Sequence, residues 1–352
     1  MQSLPLYTYY PSQIAIMSEH KIYQFWAVVQ TGFEEVALDE MSQLLPEFSL
    51  DRREKGRAQT RLYFTYHRSP LRLRELRSVQ AVYALLADMR GITVGKPGLE
   101  RIKEQIGKTN IAAARHLAGV FDRDVDAQRF HLNVTMQGHH RFSVADMVHH
   151  VQAALGAHHG LKPGESQVSM HLQFQVRGRS AVLGMKLVGD RVRAQESVAF
   201  CLGQMVGLEE GDCVLWLRRD TAEVAELVRS FGVEVIAGAM IERAPRAGVG
   251  GGAWFRWDGF HLPVLEEECS HVMAHCRTGS EGAFVEELAR ILPLGGIALV
   301  ETERREVLSP LVAAIDILNI AAVLPVSSRG RQHHLFAIER VIDEELLQVQ
   351  LI

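Results

Sequence analysis

Apolar and polar positions near the start of the chain predict a small unit of strands and helices. Residues 21–30 indicate a strand, and the apolar positions after the following Thr-Gly turn fall at helical spacing. Because Glu34 follows Thr31 by three residues, we expect Thr31 to cap this helix in a capping box. Alternating apolar residues at 61–67 indicate a second strand, and residues 71–89 indicate a helix or a helix followed by a strand.

The next stretch predicts a second, compact unit. A helical pattern covers 99–121, a strand follows at 129–136, and another helix follows at 144–160. Two further strands, at 167–176 and 180–187, are joined by a tight Arg-Gly-Arg turn. The order helix, strand, helix, strand, strand is typical of small α/β modules that bind RNA.

From about residue 195 the chain alternates strand and helix, which is typical of a doubly wound sheet. The predicted strands are 213–217, 233–240, 270–275, 296–302 and 332–341, and the predicted helices are 196–208, 222–231, 284–292 and 311–320. No helical pattern starts directly after the glycine-rich residues 248–252, so we interpret them as a connection and not as a phosphate-binding loop.

Composition limits the possible classes of protein. The chain has 352 residues, enough for two or three domains, and 47% of them are hydrophobic. We expect no membrane association, because no apolar run is long enough to cross a bilayer. A net charge of -4 means that any nucleic-acid surface must be local. The four cysteines follow no disulfide pattern, and we expect a reduced, cytoplasmic protein whose residues 1–20 form a tail.

A metal site is one interpretation of the cysteines and histidines around the predicted strand 270–275. Cys269, His271 and His275 would share one face of that strand, but Cys276 would lie on the other. We therefore expect a buried strand with satisfied histidines, and no metal. Four histidine pairs are expected to be solvated or singly hydrogen-bonded, because adjacent side chains on a helix diverge. These pairs are His139-His140, His149-His150, His158-His159 and His333-His334.

Five arginines could bind phosphate oxygens on and just after the second unit. Guanidinium groups suit phosphate, and phosphate contacts dominate affinity for RNA. The same residues could equally belong to an ordinary exposed hairpin and linker, and the sequence leaves both interpretations open. The arginines are Arg141, Arg177, Arg179, Arg191 and Arg193.

Several motifs, taken in their order along the chain, resemble the THUMP-domain class I RNA methyltransferases, especially those that methylate guanosine N2 in tRNA. The resemblance covers nearly the whole chain from about Lys21. Its motifs are Thr31-Gly32-Phe33-Glu34 with Glu40, QGHHRFS at 137–143, AVLGMKLVGD at 181–190, ESVAFCLGQMVGLEEGD at 196–212 and FVEELARILPLGGIALVET at 284–302.

The resemblance implies a fold and a partner. The expected class is α/β, with an α+β unit and a THUMP-like RNA-binding module before a Rossmann-like, doubly wound sheet. The expected domains are a ferredoxin-like unit at 21–90, the THUMP-like module at 91–190 and the methyltransferase-like domain at 195–345. The partner would be structured RNA, tRNA near its acceptor end. His140 and Ser143 would join the five arginines as RNA-binding residues.

The chain departs from the family where the methyl donor, S-adenosylmethionine, would bind. The family has a glycine-containing loop after the first strand of the sheet, whereas residues 217–222 read Leu-Arg-Arg-Asp-Thr-Ala. Side chains there would block the approach of the donor to the backbone. Met240 aligns with the acidic residue that holds the ribose. Glu242 could replace it only if the turn shifted, and Asp258 remains a candidate contact for the adenine amino group.

The catalytic element departs as well. In the family an Asp or Asn side chain holds the amine of the flipped base and an aromatic ring stacks on it. The aligned residues here are 275–278, His-Cys-Arg-Thr, which lack the ring. His275 could accept a proton, because histidine titrates near neutral pH.

Three functions follow as hypotheses. The first is an RNA-binding protein that has lost methylation. The second is an active methyltransferase with a rebuilt donor loop, in which Glu242 and Asp258 anchor S-adenosylmethionine. The third is a scaffold whose degenerate sheet docks a protein partner.

Overall fold

The computed structural model describes residues 22–122, 128–164, 170–218, 221–240, 253–257, 261–328 and 330–341. Within these ranges the chain forms fifteen strands in two sheets and eight α-helices. The predicted α/β class with a Rossmann-like sheet is confirmed. None of the helices in the described ranges is both long enough and apolar enough to span a membrane.

The first sheet is built from the N-terminal half of the chain. Its strands are β1 Gln24–Gln30, β2 Ser49–Lys55, β3 Gln59–Thr65, β4 Ala81–Arg90, β5 Arg129–Gln137, β6 Lys162–Pro163, β7 Met170–Arg177 and β8 Ser180–Val188. They lie in the order β2-β3-β1-β4-β8-β7-β5-β6. Strand β5 pairs in parallel with β7, whereas β8 pairs antiparallel with both β7 and β4.

The second sheet has the order expected of a doubly wound fold. Its strands are β9 Cys213–Leu217, β10 Glu234–Met240, β11 Ala253–Trp257, β12 His271–His275, β13 Ile297–Thr302, β14 Leu318–Ser328 and β15 Arg331–Arg340. The order is β11-β10-β9-β12-β13-β15-β14. Strands β9 to β13 pair in parallel, and β15 is antiparallel to both β13 and β14. The strand order therefore reverses direction at β9.

Helices cover both sheets. They are α1 Glu34–Leu44, α2 Lys96–Gly107, α3 Ile111–Phe121, α4 Val144–His159, α5 Arg191–Val206, α6 Thr221–Phe231, α7 Glu281–Ile291 and α8 Arg305–Ala313. A short 3₁₀ helix lies at Pro70–Arg74. Phe284 and Leu288 of α7 and Leu308 of α8 are fully buried against the second sheet. This packing fixes the strand ends around which the candidate site is built.

Packing divides the chain into two compact units. Within the described residues, the first contains 22–26, Phe64–Leu71 and Val82–Val188, and the second contains Ala27–Tyr63, Arg72–Ala81 and 189–341. Both units are assembled from separate stretches of sequence. The domain boundaries at 21–90, 91–190 and 195–345 stay predictions.

The predicted capping box at the start of α1 is wrong. The helix begins after Phe33, and Thr31 Oγ1 donates to the carbonyl of Gly56 at 3.2 Å. Glu34 instead accepts a hydrogen bond from the backbone of Gly32 at 2.9 Å and another from the Thr60 hydroxyl. The Glu34 carboxylate folds back over the two residues before the helix. It therefore accepts the backbone hydrogen bond of the turn without help from Thr31.

The predicted helix at 311–320 is also wrong in its second half. Helix α8 ends at Ala313, and residues 318–320 already belong to β14, where Leu318 lies opposite Arg340 of β15. Strand pairing outweighs the local helical spacing there. The 3₁₀ helix followed by β4 confirms the second of the two interpretations of residues 71–89. Residues 248–252 lie outside the described ranges.

Candidate functional site

Several charged side chains meet at the carboxyl edge of the second sheet. In open α/β sheets this edge, where the strand order reverses, is where ligands bind. Strand β9 ends just before Arg218, β12 ends at His275, and β13 ends with Glu301 and Thr302. His333 reaches the same edge from β15, which runs in the opposite direction.

Arg218 is mostly buried at this edge, with its side chain 12% exposed, and it forms ion pairs with two carboxylates. Its Nη1 lies 2.6 Å from Oε2 of Glu301, and its Nε lies 3.5 Å from Oε2 of Glu223 in the first turn of α6. The guanidinium carbon lies 5.7 Å from the ring centre of Trp216. The side chain therefore reaches from the end of β9 across to β13.

Two histidines lie on the other oxygen of Glu301. Nδ1 of His333 is 2.9 Å from Oε1, and Nδ1 of His275 is 3.7 Å from the same atom. Glu301 and His333 are buried, whereas the side chain of His275 is 43% exposed. Nε2 of His333 faces Oε1 of Glu303 at 3.4 Å. For the pair His333-His334 the sequence predicted solvated or singly hydrogen-bonded side chains, and His333 is not solvated, because it is only 5% exposed.

The charges of this cluster shift its pKa values in definite directions. Burial opposes ionisation of Glu301, but interaction with His275 and Arg218 outweighs it and holds the pKa of that carboxyl far below its ordinary value. Burial opposes the charge of Arg218 as well, yet Glu223 and Glu301 raise its pKa. Burial lowers the pKa of His333. Arg218 and Glu301 are thus a fixed ion pair at neutral pH.

A second ion pair lies at the N-terminus of the neighbouring helix, α7. Glu281, at the start of α7, accepts a hydrogen bond from the backbone of Gly279 at 2.6 Å and lies 3.4 Å from Nη1 of Arg304. Glu223 likewise lies in the first turn of its helix, α6. Acidic side chains near helix N-termini are stabilised by the helix dipole, and they take positions that could otherwise attract a ligand anion.

Three solved structures match this chain over nearly all of its length. TrmN from Thermus thermophilus has a TM-score of 0.66 with 18% identity, over 90% of this chain and 99% of that one. A possible methylase from Clostridium difficile 630 has a TM-score of 0.63 with 9% identity, over 91% and 98%. SMU.472, provisionally assigned as a methyltransferase and complexed with SAH, has a TM-score of 0.64 with 9% identity, over 90% and 98%. The chain shares the fold of these three proteins, with a Rossmann-like second sheet.

The likeness is one of fold, because every identity is low. No family model matches the sequence, and no curated protein matches it. The doubly wound fold places the carboxyl edge of β9, β12 and β13 at the expected ligand crevice. The function of that crevice must be argued from the side chains found there.

The side chains described in the crevice do not fit S-adenosylmethionine in the usual pose. Arg218 and its carboxylates lie at the end of β9, where a glycine-containing loop would leave room for the donor. A guanidinium there would also place a like charge near the donor's sulfonium. Two predicted donor residues, Glu242 and Asp258, lie outside the described ranges, and of Met240 only the strand position is described.

The predicted catalytic position does lie at this edge. His275 is the last residue of β12, and the backbone of the next residue, Cys276, donates to the carbonyl of Glu301 at 2.8 Å. Burial raises the pKa of the Cys276 thiol to about 12, so this group is a neutral thiol. Cys269 lies with its sulfur 3.5 Å from that of Cys213 and does not join the histidines.

Four of the predicted RNA-binding residues lie on two adjoining loops. The backbone of Gly178 donates to Gln137 at 2.8 Å, and a Cβ on Gly138 would lie 3.3 Å from Cα of Gly178. The loop after β5 therefore touches the β7–β8 turn. These loops carry His140, Arg141, Arg177 and Arg179. Arg141 and Arg179 are exposed, and the backbone of each is held by a 2.8 Å hydrogen bond to residues 92–94.

The remaining predicted RNA-binding residues have structural contacts. Ser143 caps α4, since its hydroxyl accepts from the backbone of Asp146 while Asp146 accepts from the backbone of Ser143. The guanidinium of Arg193 donates to the carbonyls of Arg74, Leu76 and Val79. Arg193 is therefore engaged within its own unit, and we leave it out of the proposed RNA surface. Arg191 opens α5, and only its backbone is described.

Both ring nitrogens of His140 are shielded from solvent and have no hydrogen bond among the described residues. Its ring centre lies 5.0 Å from that of Phe142. His140 therefore packs against the loop and does not present its nitrogens at the surface.

Proposed function

We propose that the protein binds structured RNA, with tRNA as the first candidate, and that its methyltransferase-like domain no longer transfers a methyl group. The observation that carries the loss of catalysis is the buried pair of Arg218 and Glu301, which covers the end of the first strand of the sheet. A donor in the usual pose would have to displace this pair. Breaking such a buried pair costs about 3–5 kcal/mol.

RNA binding is supported by the surface of the two adjoining loops. Arg141 and Arg179 are exposed there, and neither forms an ion pair with a carboxylate among the described residues. Rigid backbone contacts hold the loops, so the guanidinium groups are presented without an ordering cost for the chain. Such arginines would contact phosphate oxygens, which give affinity without sequence preference.

Two titrations test the proposal. The purified chain is titrated with S-adenosylmethionine by calorimetry, and its binding to tRNA is measured at two salt concentrations. We expect no heat from the donor, and tRNA affinity that falls steeply with salt, because binding to phosphates releases counterions. A single-stranded RNA of equal length serves as the control for recognition of structure. Donor binding at micromolar concentration would contradict the loss of catalysis.

The alternative is an active tRNA guanine-N2 methyltransferase. It predicts that S-adenosylmethionine binds at micromolar concentration. It requires Glu242 and Asp258 to hold the donor, and a partner or RNA to move Arg218. Incubation with tRNA and labelled donor, followed by nucleoside analysis, separates it from the first proposal.

One observation favours the scaffold alternative. A shallow apolar hollow of about 250 Å³ lies between α5 and strands β13, β14 and β15 of the second unit. Leu324 on its rim is 37% exposed. Absence of RNA binding, or binding that salt does not change, would favour this alternative.

A further inference from the structure

Among the described residues, His275, Glu301 and His333 form a group whose ligand atoms all come within 4.8 Å of one another. They come from three neighbouring strands, β12, β13 and β15. His275 and Glu301 are register partners, so their spacing is set by the sheet backbone. Ligands on strands of a rigid sheet hold their relative positions more precisely than ligands on loops.

Two buried atoms of this group lack hydrogen bonds. Oε1 of Glu301 and Nδ1 of His333 are both shielded from solvent, and neither has a hydrogen-bond partner in the described part of the chain. They nevertheless face each other at 2.9 Å. Buried polar atoms without partners are rare in folded proteins, and a bound ion is one of the few explanations for them.

The spacing of the three side chains suits a tetrahedral metal ion. Ligand atoms about 2.0–2.1 Å from Zn²⁺ are separated from each other by about 3.3 Å in a tetrahedron. The distances of 2.9 Å and 3.7 Å from Oε1 of Glu301 to the two histidines lie on either side of that value. Two histidines and one carboxylate form a known donor set for a zinc ion that keeps its fourth position open.

The surrounding charges also favour a cation. Arg218 and Arg331 carry two positive charges, and Glu223, Glu301 and Glu303 carry three negative ones, which leaves one net negative charge beside the two histidines. Arg218 binds Oε2 of Glu301 and so leaves Oε1 for the ion. Glu303 faces Nε2 of His333, as an outer carboxylate does when it orients a metal-bound histidine.

From these contacts we propose that His275, Glu301 and His333 bind a divalent transition-metal ion, of which Zn²⁺ is the probe. The fourth position opens towards solvent on the side of His275. This inference does not depend on RNA binding, and it departs from the expectation of no metal drawn from the sequence. That expectation considered only neighbours along the chain, whereas the proposed ligands are 26 and 32 residues apart.

Calorimetric titration with ZnCl₂ of the full chain, free of any histidine tag and treated with a chelator, tests the proposal. We expect one saturable site per chain, a melting temperature that rises with ZnCl₂, and a visible spectrum typical of four-coordinate Co²⁺ after titration with cobalt. His333→Gln and His275→Gln should each weaken zinc binding by at least about 10-fold, and Glu303→Gln by about 10- to 100-fold. His275 is half-exposed, so its variant keeps the fold even if a buried variant does not.

His271→Gln is the matched control, because this histidine lies on the same strand beside a single carboxylate, Asp212, at 3.7 Å. Its zinc affinity should equal that of the wild type. The proposal is overturned if the folded wild type shows no saturable zinc binding. It is equally overturned if His275→Gln and His333→Gln bind zinc as tightly as the wild type does. Either failure would leave tRNA binding unchanged, so the two proposals fail separately.

Discussion

Single side chains determine which ligands the crevice at the carboxyl edge of the second sheet can accept. The first to test is Arg218, which pairs with Glu223 and Glu301 there. Arg218→Met leaves Glu301 and Glu223 buried without their cation, so we expect the free energy of unfolding to fall by about 3–5 kcal/mol. Urea unfolding at pH 7 measures the loss. Arg331→Ala provides the matched control, because its pair with Glu303 lies at the surface, with the arginine side chain 75% exposed. That variant should lose at most about 1 kcal/mol. Equal losses in both variants would mean that the buried pair does not stabilise the domain.

Gly184 shows a different constraint at the same scale. A Cβ on this residue of β8 would overlap Cη2 of Trp26 and lie 2.9 Å from the carbonyl of Ala84. We expect Gly184→Ala to lower the free energy of unfolding by about 1–3 kcal/mol, because the buried indole must move. In Gly119→Ala, on the exposed face of α3, the new methyl group meets nothing within 4 Å. That variant should gain up to about 1 kcal/mol. Chemical unfolding of both variants gives the comparison, and a stable Gly184→Ala would show that Trp26 can repack.

His271 links stability to pH. Burial lowers the pKa of this histidine, although Asp212 and a backbone hydrogen bond work in the other direction. The unfolded chain therefore takes up a proton near pH 6.5 while the folded chain still resists protonation. Stability is fully present above that pH and is lost as the pH falls.

We expect His271→Gln to lose less stability than the wild type between pH 7.5 and pH 5. Urea unfolding at pH 7.5, 6.0 and 5.0 measures the two slopes. Slopes that coincide would place the acid-sensitive group elsewhere in the chain.

The sequence predicted part of the residue-scale picture. The absence of glycine at 217–222 drew attention to the segment that follows β9, because a missing residue type is visible in one sequence. The partners of Arg218 were not predicted. Glu301 lies 83 residues further along the chain, and only the parallel pairing of β9, β12 and β13 brings it close.

At the scale of elements, α4 has a complete cap. Ser143 and Asp146 satisfy each other's backbone groups at the start of the helix. We expect Ser143→Ala to cost about 1 kcal/mol of unfolding free energy, because a backbone donor of the first turn loses its partner. Ser42→Ala is the control, since that hydroxyl only bonds back to the carbonyl of Asp39. Thermal unfolding of the two variants compares them. An equal effect would mean that the cap does not limit stability.

Strands and helices that bury one face could be predicted from the sequence, because burial imposes a regular pattern of apolar residues. Elements without a buried face could not. The sequence predicted β5, α4, β9 and β12 because their apolar residues repeat with the period of a strand or helix. It missed β2, whose residues read Ser-Leu-Asp-Arg-Arg-Glu-Lys and in which no residue is buried, because this strand lies at the edge of its sheet. It also missed β14, whose first residues it assigned to a helix and where pairing with β15 decides the structure.

At the scale of the whole molecule, the proposed RNA surface can be tested by charge. The double variant Arg141→Ala with Arg179→Ala should weaken tRNA binding and flatten its dependence on log salt. The slope should fall by about 0.7–0.9 for each phosphate group that the variant no longer neutralises. Arg53→Ala removes an exposed arginine from β2 that already pairs with Glu35, so it should leave the slope unchanged. A loss of affinity in Arg53→Ala as large as in the double variant would point to a general charge effect.

The sequence predicted the architecture but not how the chain builds its compact units. The alternation of strand and helix after residue 195 indicated the second sheet correctly. The sequence did not indicate that Ala27–Tyr63 and Arg72–Ala81 belong to the same compact unit as that sheet. Such long-range packing leaves no period in the local pattern, so it appears only when the structure is known.

The turn before α1 is held by residues of β14, far along the chain. The backbone of Ser327 in β14 donates to Thr31 at 3.0 Å, and a Cβ on Gly32 would lie 2.7 Å from Cγ1 of Val326. These contacts join residues almost 300 positions apart. During synthesis, the turn must wait until residues 326 and 327 have left the ribosome. Contacts of such high sequence separation slow folding, so this unit should complete its structure late and depend most on chaperones while it is being made.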